Sequence, residues 1–321
     1  MPSPLRPLNL DLLLTRACPL SCGYCRMEHR SGPTPARVWR RTLRLLLQEE
    51  GPLELHLMGG EPLVEYGLVR QVAGEALAQA FRKRRELRLI VTTNGLLLTP
   101  QRSRELARLG AWVMLSLDGG REVQERQRPL PGRGSWSVLR RNLKGLVEAG
   151  TPFFVNLVVT PATAASLSRS TAFLLRQGVR AFQVAYALGV RWDEASLRTL
   201  ERQLVLVCRQ ADAARPRAEL FNRRNGAEPV LLSPQHVVDT DGRLYVGTSI
   251  VLEGLWPGLH AAFRAGHVAS LARLPGRGVG PAEQLRRLRR APLPAPERRV
   301  LLNNLAVGQR LRRFWRRQEE P

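Results

Sequence analysis

The sequence predicts an α/β fold: a partial, TIM-like (β/α)6 barrel followed by a small α+β extension. Three observations carry this. Apolar strand-like runs alternate with helical stretches six times before residue 213, the mark of a parallel sheet with right-handed crossovers. The cysteine and polar motifs fall at the carboxyl ends of four successive strands, where (β/α) barrels build their sites. Beyond Pro216 the alternation stops and short strands and turns take over. The expected division is 1–215 for the barrel and 216–321 for the extension.

The elements follow in order. Residues 8–15 are apolar with little alternation, as in a parallel strand covered on both faces. Thr34 is placed to cap a helix to about Gln48, with Val38, Leu43 and Leu46 on one stripe. Strand 53–58 runs into Gly59-Gly60-Glu61-Pro62, and a long helix spans 63–84. Strand 87–92 ends in Thr93-Asn94-Gly95, and Thr99 caps a helix to about Leu109. Strand 112–115 ends in Ser116-Leu117-Asp118-Gly119. A Pro/Gly/Arg loop, 128–134, leads to a helix over 135–149. Strands 153–159 and 182–187 flank a helix, 163–177, that Gly178 closes. A long helix covers 193–213. In the extension, 230–233 and 235–239 read as short strands. The turn 239–242 returns into a hairpin partner, 243–247. Helices are expected near 259–264, 282–290 and 297–317.

At 321 residues and 44% apolar content the chain can bury a large core. No apolar run is long enough to span a membrane, and the N-terminus lacks a signal-peptide pattern. A cytoplasmic enzyme is therefore expected. Seven residues precede the first strand, leaving no room there for a separate recognition domain. The formal charge of +23 points to an acidic partner: a peptide, a nucleic acid or an anionic surface. Almost all of it is arginine, with Lys83 and Lys144 the only lysines, and Ala, Leu, Gly and Pro are abundant. Genomic composition explains that excess as well as a recognition surface does.

Three of the four cysteines, Cys18, Cys22 and Cys25, lie within eight residues at the spacing C-x3-C-x2-C. Three thiolates this close can hold one metal centre while leaving a ligand position open. Soft thiolates suit iron–sulfur clusters or zinc. A structural zinc site completed by His29 is the alternative, and it would make the chain a zinc-binding interaction protein. An odd cluster and no secretory signal argue against a disulfide framework.

The C-x3-C-x2-C loop with Tyr24 before its last cysteine resembles the radical S-adenosylmethionine superfamily. Gly59–Pro62, Thr93–Gly95, Ser116–Gly119 and the stretch from Gln124 through Arg128 to Asn142 agree, in the right order. The ordered set, over about residues 8–190, resembles the sulfatase-maturase and peptide-modifying branch. The resemblance implies a [4Fe–4S] cluster on Cys18, Cys22 and Cys25, with S-adenosylmethionine on the remaining iron. It implies reductive cleavage of that cofactor to a 5′-deoxyadenosyl radical that takes hydrogen from a substrate. The substrate it implies is a ribosomally made peptide or a protein side chain; a small metabolite or RNA is the alternative. The electron comes from an external reductant of flavodoxin or ferredoxin type. Gly59 and Gly60 then let backbone approach the methionyl group, and Glu61 receives its ammonium. Thr93, Asn94, Ser116 and Asp118 suit the ribose hydroxyls and carboxylate, with turn and cap roles as their rival. The Tyr24 backbone meets the adenine.

Residues 236–247 resemble the hairpin of a SPASM or twitch extension, with Gly247 where that family places a cysteine for an auxiliary cluster. No cysteine follows Cys208, so a single cluster is expected. Cys208 reads as a buried small hydrophobe on a helical stripe, or as a hydrogen-atom donor. Asp239 and Tyr245 are the other catalytic candidates, though turn chemistry explains the aspartate more simply.

Overall fold

The computed structural model describes residues 7–132, 134–224, 230–247, 249–276 and 279–318. Parallel strands β1 (Leu8–Thr15), β2 (Leu53–Gly59), β3 (Leu87–Thr93), β4 (Trp112–Ser116), β5 (Phe153–Val159) and β6 (Ala181–Tyr186) pair in chain order, and a two-residue β7 (Glu219–Leu220) adds to β6. On the far side of β1 lies β8 (His236–Val238), parallel to it, then antiparallel β9 (Arg243–Val246) and β10 (Arg264–His267). The helices are α1 (Ala36–Leu46), α2 (Tyr66–Arg82), α3 (Pro100–Arg108), α4 (Arg121–Gln127), α5 (Trp136–Glu148) and α6 (Leu167–Arg176). After them come α7 (Glu194–Ala213), α8 (Phe221–Arg224), α9 (Pro257–Ala262), α10 (Pro281–Arg290) and α11 (Ala295–Arg316).

The strands alternate in what they face. Leu8, Leu10, Leu12 and Leu14 of β1, Leu53, Leu55 and Leu57 of β2, and Val155, Leu157 and Val159 of β5 join one core with the helices. Burying each such side chain is worth about 1.5–3 kcal/mol, so this outer layer supplies most of the driving force. The intervening positions turn to the inner face, which is polar at its lower end and apolar above, at Leu13 and Met58. Asn9 and His56 both bond Glu54, at 3.3 and 2.7 Å. His56 Nδ1 lies 3.9 Å from Asp11, and Gln235 donates to Asp11 at 2.8 Å. These groups form the floor of the barrel. Gln235 comes from just before β8, so the extension helps to fill it.

Several boundaries differ from the sequence expectation. Thr34 does not cap α1; its hydroxyl donates to the Leu13 carbonyl at 2.6 Å, and Pro35 occupies the cap position. The helix expected over 63–84 starts as a 3-10 turn, Pro62–Glu65, because the Glu61 carboxylate accepts from Leu63 N and sets a tight first turn. Residues 230–232 form a 3-10 turn, not a strand. The sequence reading missed α4, β7, α8 and β10. Two residues give no periodicity in β7, and a bulge at Gly266 breaks the alternation of β10. Thr99 does cap α3, accepting from Arg102 N at 3.3 Å.

The floor is sensitive to pH. Burial pushes the Asp11 carboxyl up to about 6 from an ordinary 3.8. A carboxyl raised in this way costs stability once it must ionise. The cost appears as pH rises from about 4 to about 6 and persists above, on the order of 1–3 kcal/mol. Burial lowers the His56 imidazole, but its bond to Glu54 and the Asp11 charge outweigh that and hold it above its usual value. Asp11→Asn keeps an acceptor for Gln235 and removes the charge, at the loss of some attraction to His56. Denaturant unfolding should show it more stable than the parent by about 1–2 kcal/mol at pH 7.5 and no different at pH 4. A loss at pH 7.5 would contradict this.

Candidate active site

The cysteine loop leaves the carboxyl end of β1. Cys18, Cys22 and Cys25 are each half-buried. Cys18 and Cys22 pack against Leu20, Leu96 and Leu139, while Cys25 packs against Met27, Tyr245 and Ile250. Ser21 N and Gly23 N donate to the carbonyls of Pro129 and Gln127, both at 3.0 Å. The end of α4, which the sequence reading did not foresee, therefore holds the middle of the loop. Burial pushes the Cys18 thiol up to about 12 and the Cys22 thiol to about 11. Metal coordination deprotonates thiols outright, and so offsets this cost.

Three soft thiols with dry walls fit a cluster whose fourth iron takes an external ligand. Zinc needs its ligands around one point. Among the described residues, no three His, Cys, Asp or Glu side chains are gathered that way, and His29 is exposed. Asn94 Nδ2 donates to Cys18 Sγ at 3.8 Å.

The Gly59-Gly60-Glu61 turn is bonded to the start of the loop: Gly60 N to Thr15 O at 2.9 Å, Glu61 N to Ala17 O at 2.8 Å. A Cβ on Gly59 would collide with the Thr15 carbonyl, and one on Gly60 with that of Ala17. The glycines thus serve a close approach, to the cysteine loop's own backbone. Glu61 is buried and its oxygens are occupied. They accept from Thr93 Oγ1 (2.8 Å), Asn94 N (2.7 Å) and Leu63 N (3.0 Å). Burial pushes this carboxyl up to about 7 despite those bonds. Thr93 Oγ1 also accepts from Gly95 N, and Asn94 Oδ1 from Leu96 N. The sequence placed Glu61 to receive the cofactor's ammonium; in the structure its carboxylate also braces the β2 and β3 turns.

Asp118 is a second internal brace. Arg128 grips it with Nε at 2.9 Å and a terminal nitrogen at 3.0 Å. Tyr24 OH, Gln127 Nε2 and Val158 N also donate to it. Burial raises the Tyr24 phenol well above its usual value, so it remains a donor. Gln124 accepts from Asp118 N, and Asn142 donates to the Gly95 and Leu96 carbonyls. Ser116 is half-exposed at the end of β4. It aligns with Asn156 of β5, which aligns with Gln183 of β6. Gln183 donates to Asn156 Oδ1 at 3.1 Å. Asn156 and Gln183 of this row were missed; the alternation of β5 and β6 was the signal.

Of the three catalytic candidates, Asp239 and Tyr245 lie near each other and Cys208 lies apart. Asp239 is buried and held by Arg16 through Nε (2.8 Å) and a terminal nitrogen (2.5 Å). Tyr245 is buried and stacks on His260 with ring centroids 4.0 Å apart. Cys208 lies on α7 in the core outside the sheet, beside Arg223.

Removing one partner of a buried ion pair strands the other. Asp118→Asn should therefore cost the metal-free protein about 3–5 kcal/mol in denaturant unfolding. A loss below about 1 kcal/mol would mean that solvent screens the pair.

Comparison with known proteins now bears on this site. Residues 12–167 match the Radical SAM superfamily. The PqqA peptide cyclase of Gluconobacter oxydans is 29% identical over 230 residues, 68% of this chain and 61% of its own length. That of Methylocella silvestris is 26% identical over 219 residues, 66% of this chain and 56% of its own. The chain thus spans under two thirds of these relatives. Among solved structures, anSMEcpe with bound AdoMet shares the fold at a TM-score of 0.70 and 18% identity, over 82% of this chain and 76% of that one. Streptococcus suis SuiB bound to its precursor peptide SuiA does so at 0.54 and 18%, over 78% and 61%. The cysteine-bearing stretch, residues 12–167, thus matches a superfamily of enzymes whose cofactors are a [4Fe–4S] cluster and S-adenosylmethionine, and the fold is similar to that of anSMEcpe and SuiB.

Proposed function

We propose that this chain modifies a ribosomally made peptide or a protein side chain by radical chemistry. The observation that carries the reading is a set of three half-buried, dry-walled thiols in the loop after β1, together with a polar row that starts at Ser116, the last residue of β4, and runs in register through Asn156 and Gln183. The peptide substrate draws support from the named activity of the sequence relatives and from the peptide bound by SuiB. Cys18, Cys22 and Cys25 hold the cluster. Gly59, Gly60, Asn94, Ser116 and the Tyr24 backbone would hold S-adenosylmethionine. Bound together, these cofactors supply a 5′-deoxyadenosyl radical that takes a hydrogen atom from the substrate.

The chain's own work is positional. Glu61, Thr93 and Asp118 hold the turns from behind, which leaves backbone and the half-exposed Ser116 for the cofactor. The apolar walls of the loop exclude water, and an external flavodoxin- or ferredoxin-type reductant supplies the electron. The substrate is an acidic peptide if the +23 charge is a recognition surface. Residues 1–215 carry the chemistry and 216–321 cover it, in the cytoplasm. No cysteine follows Cys208, so we assign one cluster. The substrate radical is then resolved by hydrogen return, recombination or an outside acceptor.

Anaerobic reconstitution tests this. The parent should form 5′-deoxyadenosine under reduction, Cys18→Ala, Cys22→Ala and Cys25→Ala should form none, and His29→Ala should match the parent. The triple cysteine variant should bind no iron. Iron–sulfur absorption in that variant would reveal a second cluster, and metal loss in His29→Ala would restore the zinc reading.

A further inference from the structure

We infer that residues 249–254, locked to Arg16, form an outer clamp that positions the cysteine loop, with Arg16, Asp239, Glu253 and Gly254 as positioning residues for the cluster. The inference rests on the reading that Cys18, Cys22 and Cys25 are its ligands.

The loop is held from two sides. The barrel side is the α4 end already described. The other side belongs wholly to the extension. Arg26 N donates to Val251 O at 3.0 Å, and Gly254 N donates back to Arg26 O at 2.7 Å. That two-way pairing needs glycine: a Cβ at 254 would lie 2.7 Å from the Arg26 oxygen. Nothing in its backbone angles requires glycine, so the approach itself is the reason.

Arg16 closes the clamp. It sits two residues before Cys18 and is 2% exposed. Its guanidinium reaches Asp239 in the β8–β9 turn, Glu253 at 2.5 Å and the Glu28 carbonyl at 3.1 Å. One side chain thus joins both ends of the cysteine loop to two points of the extension. Behind Glu253, His260 bonds Ser249 at 3.1 Å and stacks on Tyr245. Cys25 is partly buried against the apolar cluster that holds Tyr245 and Ile250. The same segment therefore fixes the loop backbone and borders its last thiol.

The energetics favour a positional role over a merely adhesive one. Apolar packing alone would hold the extension to the sheet more cheaply, because burying an arginine with two carboxylates carries a desolvation cost. What such a network adds is one fixed geometry. Loop residues left free each cost about 1–2 kcal/mol to order, and the clamp removes that burden before any ligand arrives.

Hydrogen–deuterium exchange of the metal-free chain, read by peptide mass spectrometry, tests the clamp without any substrate. Gly254→Ala should speed exchange in residues 18–28 at least tenfold and leave β2–β5 unchanged. Gly67→Ala, where a Cβ meets nothing within 4 Å, is the control. After anaerobic reconstitution, Gly254→Ala should lose iron in air several-fold faster than the parent. Arg16→Gln should do the same. Where it fails to fold, the neutral triple variant R16Q/D239N/E253Q keeps the shape without stranded charge. It should fold and still show the faster loop exchange. Loop protection and iron retention at parental levels in Gly254→Ala and either Arg16 variant, with faster exchange confined to 236–254, would overturn the clamp. A parent chain that takes up no iron would overturn the cluster reading instead, and the positioning role with it.

Discussion

Asp118 receives five donors, and the geometry of the site depends on that one carboxylate. They come from Tyr24 in the cysteine loop, Gln127 and Arg128 at the end of α4, and Val158 in β5. A buried charge is tolerable only when compensated, and Arg128 compensates it while fixing where α4 ends. Because Gln127 and Pro129 carbonyls in turn hold the loop, a change at Asp118 is felt at the cysteines. Glu61 repeats the device between β2 and β3. Two carboxylates thus set the spacing of four strand ends.

The inside of the barrel is layered. The floor is ionic, with Asp11, His56 and Glu54. Above it lie Leu13 and Met58, with Met114 opposite Phe154 on the neighbouring strands. The rim carries Ser116, Asn156 and Gln183. The apolar middle layer separates the two polar ones. The ionisable floor is therefore part of the scaffold, set apart from the polar rim.

Most of this was legible in the sequence at the level of elements. The leucine-rich strands and the order of the motifs give the barrel, because burial on one face and chemistry at one end leave separate marks. The direction of the motif side chains was not legible. Glu61, Thr93 and Asp118 look the same on paper whether they point at a ligand or back into the protein; only the positions of Asn94 N, Leu63 N and Arg128 decide. Asp239 is a turn residue by pattern, and its partner Arg16 lies at the other end of the chain. Long-range ion pairs leave no local signature. The helix α4 was hidden for another reason: a single apolar residue, Val123, among six polar ones after a glycine gives no apolar periodicity to stand out.

The pairing of β8 with β1 has a consequence for assembly. Leu10 aligns with His236, so the first strand of the sheet gains its second neighbour only when nearly three quarters of the chain exists. On the ribosome, β1 pairs with β2 early and then waits with one edge bare. Such late, long-range closure slows folding and leaves the nascent barrel open to wrong partners. The edge is covered by its own C-terminal hairpin, and a chain stalled before residue 236 would carry a complete set of thiols on an unfinished sheet.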